Sequence, residues 1–285
     1  MGAVLIPVGV LGVMGIVFAA ILGFASKVFH VEVDERETLV LETLPGANCG
    51  ACGYPGCAGY AKAVAEGSAP INLCLVGGKP VADNVADIMG VEKQELTRMV
   101  AQVHCNGTYD NTDLLFDYEG KKDCRIIKNL GGGSCKACQY SCQGCGTCKD
   151  QCEYGAISLV NGVAVIDEEK CVACKKCIKV CPQKIIHLVP HGEKAVVRCS
   201  SYSFGKQVKD ACKVGCIGCS LCTKLAPNEF EMDGKLARVK YGPDFNIENA
   251  IKAAEKCPAK CIEIVGHKEE PVAIKVEEKE TANVQ

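Results

Sequence analysis

"CQGCGTCKDQC" at residues 142–152 and "CVACKKCIKVCP" at 171–182 carry the same cysteine spacing twice. Each run has three cysteines at C-x2-C-x2-C and a fourth three residues further on. A short loop with this spacing wraps three corners of a cubane cluster, with backbone N–H groups directed at the sulfurs. The fourth cysteine of each run crosses to the other cluster. Cluster 2 is therefore expected on Cys142, Cys145, Cys148 and Cys181, and cluster 3 on Cys152, Cys171, Cys174 and Cys177. Zinc needs only C-x2-C pairs and leaves the reciprocal triplets unexplained. Residues 136–194 are thus expected to form a bacterial-ferredoxin-like domain with two [4Fe-4S] clusters. Two features depart from the pattern. Glu153 stands where Pro often follows the fourth cysteine, and Cys138, separated from Cys142 by three residues, is placed to compete with Cys145.

"CIGCSLCTKLAP" at 216–227 begins in the same way and then breaks. Ala226 stands where the fourth cysteine is due. Its partner triplet is also missing, replaced by "YGPDFNIENAIKAAE", while "KCPAKC" supplies a distant Cys257-Pro258. Residues 195–265 then read as a second ferredoxin-like domain that keeps one cluster and has lost the other. Cluster 4 is expected on Cys216, Cys219, Cys222 and Cys257; the alternative is a [3Fe-4S] centre without a fourth ligand. Strand signals follow the cysteines in both blocks, "AISLVNGVAVID" and "FEMDGKLARVK".

Upstream, "NCGACGYPGC" and a later "INLC" place Cys49, Cys52, Cys57 and Cys74 around a glycine-rich loop. Glycine allows the positive φ angles and close backbone approach that a tight thiolate loop needs. This set is expected to hold cluster 1, of a non-ferredoxin type, within a small domain over 28–90; helices are expected over 58–66 and over 81–102, the latter running on into the connector. Seven cysteines remain: Cys105, Cys124, Cys135, Cys138, Cys199, Cys212 and Cys261. A fifth [4Fe-4S] cluster is assigned to Cys105, Cys124, Cys135 and Cys138, mostly in a loop-rich connector over 91–135. Cys199 and Cys212 are the alternative members, and Cys261 reads as a small buried apolar residue.

The whole chain has 285 residues and 23 cysteines, an odd count clustered at metal-ligand spacing. That pattern argues for a reduced metalloprotein over a disulfide scaffold. The net charge of -2 gives no basis for nucleic-acid binding, and Trp is absent. Residues 1–26 carry no charged side chain, so 1–27 reads as a single transmembrane anchor in the cell membrane with the cysteine-rich domains on the cytoplasmic side. A cleaved signal peptide is the alternative. Such a span has no intramembrane charge and forms no ion path by itself. The end, 266–285, is charged, periodless and expected to be disordered. No dinucleotide fingerprint follows a strand, so NAD and flavin belong elsewhere. The histidines, His30, His104, His187, His191 and His267, are scattered. Residues 170–213 hold ten Lys or Arg against two acidic residues. Lys175, Lys176, Lys179 and Lys184 are expected to form a docking face for an acidic protein. The overall expectation is α+β: one N-terminal transmembrane helix, a small [4Fe-4S] domain and tandem ferredoxin-like domains.

"LPGANCGACGYPGC", "INLC", the apolar N-terminus and the tandem motifs together resemble the RnfB family, the B subunits of the Rnf complexes. The resemblance runs to about residue 265, with departures at Leu75-Val76, Glu153 and the truncated last pair. It implies an electron-transfer subunit of an ion-translocating oxidoreductase with no substrate-transforming site of its own. Electrons would enter from reduced ferredoxin and pass through [4Fe-4S] clusters toward NAD, coupled to Na+ or H+ movement. It also implies membrane subunits and NAD- or flavin-binding subunits as partners. Two other classes fit the cysteines alone: the iron-sulfur subunit of a different membrane oxidoreductase, and a cluster carrier or scaffold.

Overall fold

The structure is a computed structural model and describes residues 2–28 and 34–266. Helix α1 (Gly2–Val28) is 27 residues long, and its large side chains Leu11, Ile16, Phe18, Leu22 and Phe24 are exposed. Side chains are described without a break within it only over residues 11–25. Among the described residues no helix is long and apolar enough to cross a membrane. His30, His267 and nearly all of the expected tail lie outside the described residues.

The N-terminal domain is helical. Helices α2 (Glu35–Thr43), α3 (Cys57–Ala65) and α4 (Gly78–Met89) bury Val40, Tyr60, Val64 and Val85 in one core. Asp34 caps α2 through its carboxylate, and Gly90, at φ 67°, ends α4 in the left-handed region. The helix expected over 81–102 therefore stops at Met89. Strand β1 (Met99–Val103) occupies the end of that range instead, its "MVAQV" apolar with β-branched positions.

Strand β1 belongs to the first ferredoxin-like unit and not to a connector. After α5 (Cys124–Asn129) and the short α6 (Thr147–Asp150) come β2 (Ile157–Val160), β3 (Val163–Ile166), α7 (Lys176–Val180) and β4 (Ile186–Pro190). β1 pairs antiparallel with β4, Ala101 opposite Leu188. β2 and β3 form a hairpin whose turn residues Asn161 and Gly162 both have positive φ, as a two-residue hairpin turn requires.

The second unit repeats the plan with β5 (Lys194–Val197), α8 (Lys206–Ala211), α9 (Leu221–Leu225), β6 (Phe230–Asp233), β7 (Leu236–Val239), α10 (Ile247–Glu255) and β8 (Ile262–Val265). β5 pairs with β8 and β6 with β7. Helix α10 occupies the chain position of the missing triplet. It places Ala250 and Ala253 in one core with Ala226, Phe230 and Leu236. Ala226 is 1% exposed, so the lost ligand has become a packing residue.

Candidate iron-sulfur sites

The three ferredoxin loops share one backbone conformation. The second residue after the first cysteine has positive φ in each: Gly144 (71°), Ala173 (55°) and Gly218 (71°). So does the residue after the second cysteine, Gly146, Lys175 and Ser220, and these three precede α6, α7 and α9. So does the third residue after each crossing cysteine, Gly155, Lys184 and Lys260. Left-handed residues between thiols turn successive N–H groups to the same side, toward the sulfurs.

Four cavities of one size, each about 20 Å³, are lined by cysteines of the expected sets, three of them by all four members and the second without Cys145. Cys49, Cys52, Cys57 and Cys74 line the first, with the Cys57 N–H donating to Asn48 Oδ1 at 2.8 Å. Cys152, Cys171, Cys174 and Cys177 line the third. Cys216, Cys219, Cys222 and Cys257 line the fourth, joined by Cys261. Cys261 occupies the repeat position of Ala156 and Ile185, which are core residues. It nevertheless lies 3.7 Å from the Cys257 sulfur. As the shared donor to Cys257 and Cys216 it holds these thiols down, at about 5 and about 6, while its own is raised.

The second cavity is lined by Cys142, Cys148 and Cys181, with Cys124 completing the wall. Cys145 is hydrogen-bonded to Cys124, holding the Cys124 thiol down at about 5. Burial pushes other thiols up: Cys142 and Cys222 to about 11, Cys148 and Cys177 to about 12. Cys142, Cys148, Cys177 and Cys222 are thus protonated at neutral pH, so binding iron as thiolates must release their protons.

The structure does not bring Cys105, Cys124, Cys135 and Cys138 together, which corrects the set expected for a fifth cluster. Helix α5 carries Cys124 to the second cavity. Cys135 is buried and its thiol lies 3.3 Å from Gln143 Oε1. Cys105 and Cys138 instead line a separate cavity with Cys199 and Cys212.

The lysine face is also largely engaged. Lys175 Nζ donates to the Ala51 carbonyl at 2.7 Å, and Lys179 Nζ to the Cys49 carbonyl at 3.4 Å. Lys176 pairs with Glu153, which gives that departure from the Pro pattern a partner. Lys184 is exposed. Lys175 and Lys179 thus fasten the first site's loop onto the third, and Cys174 lies within electrostatic reach of Cys49. Replacing both with Ala should loosen the N-terminal domain by about 2 kcal/mol while iron content stays unchanged. Spin coupling between the first and third clusters should weaken. Unchanged coupling would show that these two contacts do not hold the domains together.

Three family models match: an Fe-S cluster family at residues 44–76, a 4Fe-4S dicluster domain at 141–185 and the 4Fe-4S single cluster domain of Ferredoxin I at 213–264. The B subunit of the Na+-translocating ferredoxin:NAD+ oxidoreductase complex of Acetobacterium woodii is 40% identical over 264 residues, 92% of this chain and 78% of its own length. The proton-translocating counterpart from Clostridium ljungdahlii is 37% identical over 93% of this chain and 94% of its own. The B subunit of an ion-translocating oxidoreductase complex from Methanosarcina acetivorans is 39% identical over 80% and 86%. The chain belongs to the RnfB family. It is an iron-sulfur electron-transfer subunit of an Rnf complex, built on ferredoxin-like 4Fe-4S domains.

Proposed function

We propose that this RnfB protein takes electrons from a reduced ferredoxin and relays them toward the membrane and NAD-binding subunits, with NAD reduction coupled to Na+ or H+ movement. The observation that carries the reading is the contiguity of its cysteine cavities. Cys49 lies near Cys174 and Cys148 near Cys177, so sites one, three and two follow one another. When bound, [4Fe-4S] clusters supply one-electron exchange at potentials set by hydrogen bonds to sulfur and by exposure. The residues around them hold and insulate. Cys142, Cys145, Cys148 and Cys181 form the second ligand set, Cys216, Cys219, Cys222 and Cys257 the fourth, and Cys124 and Cys261 stand behind as thiol neighbours. Apolar walls such as Ile157, Ile166 and Ile186 keep water from the sulfurs, which disfavours the extra negative charge of reduction. Helix α1 serves as the membrane anchor, its 27 residues spanning about 40 Å at 1.5 Å each, and the cysteine-rich domains face the cytoplasm.

The test uses the anaerobic complex. Reduced ferredoxin should bleach the visible absorption of the clusters in this chain as fully as dithionite does. Bleaching by dithionite but not by ferredoxin would remove ferredoxin as the donor.

A further inference from the structure

We propose that Cys105, Cys138, Cys199 and Cys212 hold a fifth [4Fe-4S] cluster, shared between the two ferredoxin-like units and placed between the second and fourth sites. These four cysteines line one cavity of about 330 Å³. Cys138 lies within electrostatic reach of the other three. They come from four separate stretches of chain, so their convergence is a product of the fold and not of local spacing.

The two units contribute equivalent positions. Cys105 follows the last residue of β1 by two, and Cys199 follows the last residue of β5 by two. Cys138 precedes Cys142 with three residues between, and Cys212 precedes Cys216 in the same way. Each unit thus contributes a pair of equivalent positions to one cavity.

The backbone is set as at the other sites. Each of the four sulfurs accepts from the N–H two residues on: Gly107 to Cys105 at 3.3 Å, Ser201 to Cys199 at 3.4 Å, Tyr140 to Cys138 and Val214 to Cys212. Hydrogen bonds to sulfur favour the thiolate over the thiol and stabilise a thiolate-ligated cluster. Second donors tie this cavity to its neighbours. The Cys142 N–H donates to the Cys105 sulfur at 3.4 Å, and the Cys216 N–H to the Cys199 sulfur at 3.3 Å. A ligand of the second site and a ligand of the fourth are each one hydrogen bond from the fifth.

Lys136 supplies an independent observation. It is fully buried, and its Nζ donates to the Gly107 and Gly162 carbonyl oxygens at 2.7 and 2.8 Å. A buried ammonium is costly without a nearby anion, and it lies within electrostatic reach of Cys105, Cys142 and Cys212. Thiolate-ligated clusters in the second and fifth cavities supply that anion.

With this site the cavities form one line: first, third, second, fifth, fourth. The fifth is walled by two inserted segments, 104–141 and 198–215, instead of one tight loop, which accounts for its larger volume. Its lining includes Ser200, Ser201, Ser203 and Gln207, so it should accept an electron more readily than the apolar-walled sites.

The inference rests on the electron-relay reading only for its use, and iron counting tests it separately. The full chain, isolated anaerobically in its complex, should hold about 20 Fe per chain, against about 16 for four clusters. The double variant Cys138→Ser/Cys212→Ser should lose about four Fe and the matching sulfide, with one reducible component gone from the electron paramagnetic resonance spectrum. Cys135→Ser, outside the cavity, should lose none. A wild-type value of about 16 overturns the proposal, as does one zinc per chain that the double variant removes without loss of iron. If the double variant fails to fold, Mössbauer counting of the wild type decides alone. Ferredoxin can bleach the complex whichever count is found, so the two readings fail separately.

Discussion

Gly144→Ala and Gly218→Ala should each destabilise the protein by about 3 kcal/mol and strip iron from the affected site, whereas Ala173→Gly should change stability by less than about 1 kcal/mol. The three residues hold the same place in the repeated loop, all at positive φ, so the left-handed backbone alone does not separate them. What differs is the wall they face. A Cβ at Gly144 would sit 2.7 Å from the Gly162 carbonyl oxygen, and one at Gly218 2.8 Å from that of Lys235. Both oxygens lie in hairpin turns, β2–β3 and β6–β7, fixed by their strand pairing, so neither can move aside cheaply. The third loop has no such hairpin against it, and Ala173 is accommodated while buried. Thermal unfolding and iron retention of the three variants would check the ordering. An Ala173→Gly effect equal to the others would mean that backbone strain and not the hairpin contact governs these loops.

The same contrast shows what could be read from the residues alone. Cysteine spacing is a local property, and the first, third and fourth ligand sets share cavities because each draws three members from one short loop. Strand β1 was legible only in part: "MVAQV" has strand composition, but the run before it is helical in pattern, and only pairing with β4 fixes the element. The fifth site is non-local. Cys105 and Cys124 are near in sequence, yet α5 turns Cys124 to the second cavity, and nothing in the spacing announces that turn. The usable signal was internal duplication, with Cys138-x3-Cys142 matched by Cys212-x3-Cys216. The lysine patch misleads for a related reason. Composition counts charges, whereas the fold commits Lys175 and Lys179 to carbonyls of the N-terminal domain.

Lys136→Met should lower the reduction potentials of the second and fifth clusters by roughly 50 mV, because a positive charge nearby stabilises the more negative reduced state. It should also cost stability, and the cost should depend on loading. In the loaded protein the ammonium faces anionic clusters, so its removal forfeits attraction and leaves the Gly107 and Gly162 carbonyls without their donor, together about 2–5 kcal/mol. In the iron-free protein the same ammonium sits buried with no anion beside it. There the substitution removes a desolvation penalty as well as two hydrogen bonds, and the two effects offset to within about 1 kcal/mol. A purely structural lysine would show equal losses in both states and no change in potential. Redox titration of the variant, with unfolding followed before and after iron removal, separates the two. Equal destabilisation with unshifted potentials would reduce Lys136 to a strut between two loops. Unequal destabilisation with lowered potentials would identify it as the charge that couples the packing of the Gly107 and Gly162 loops to the iron beside them.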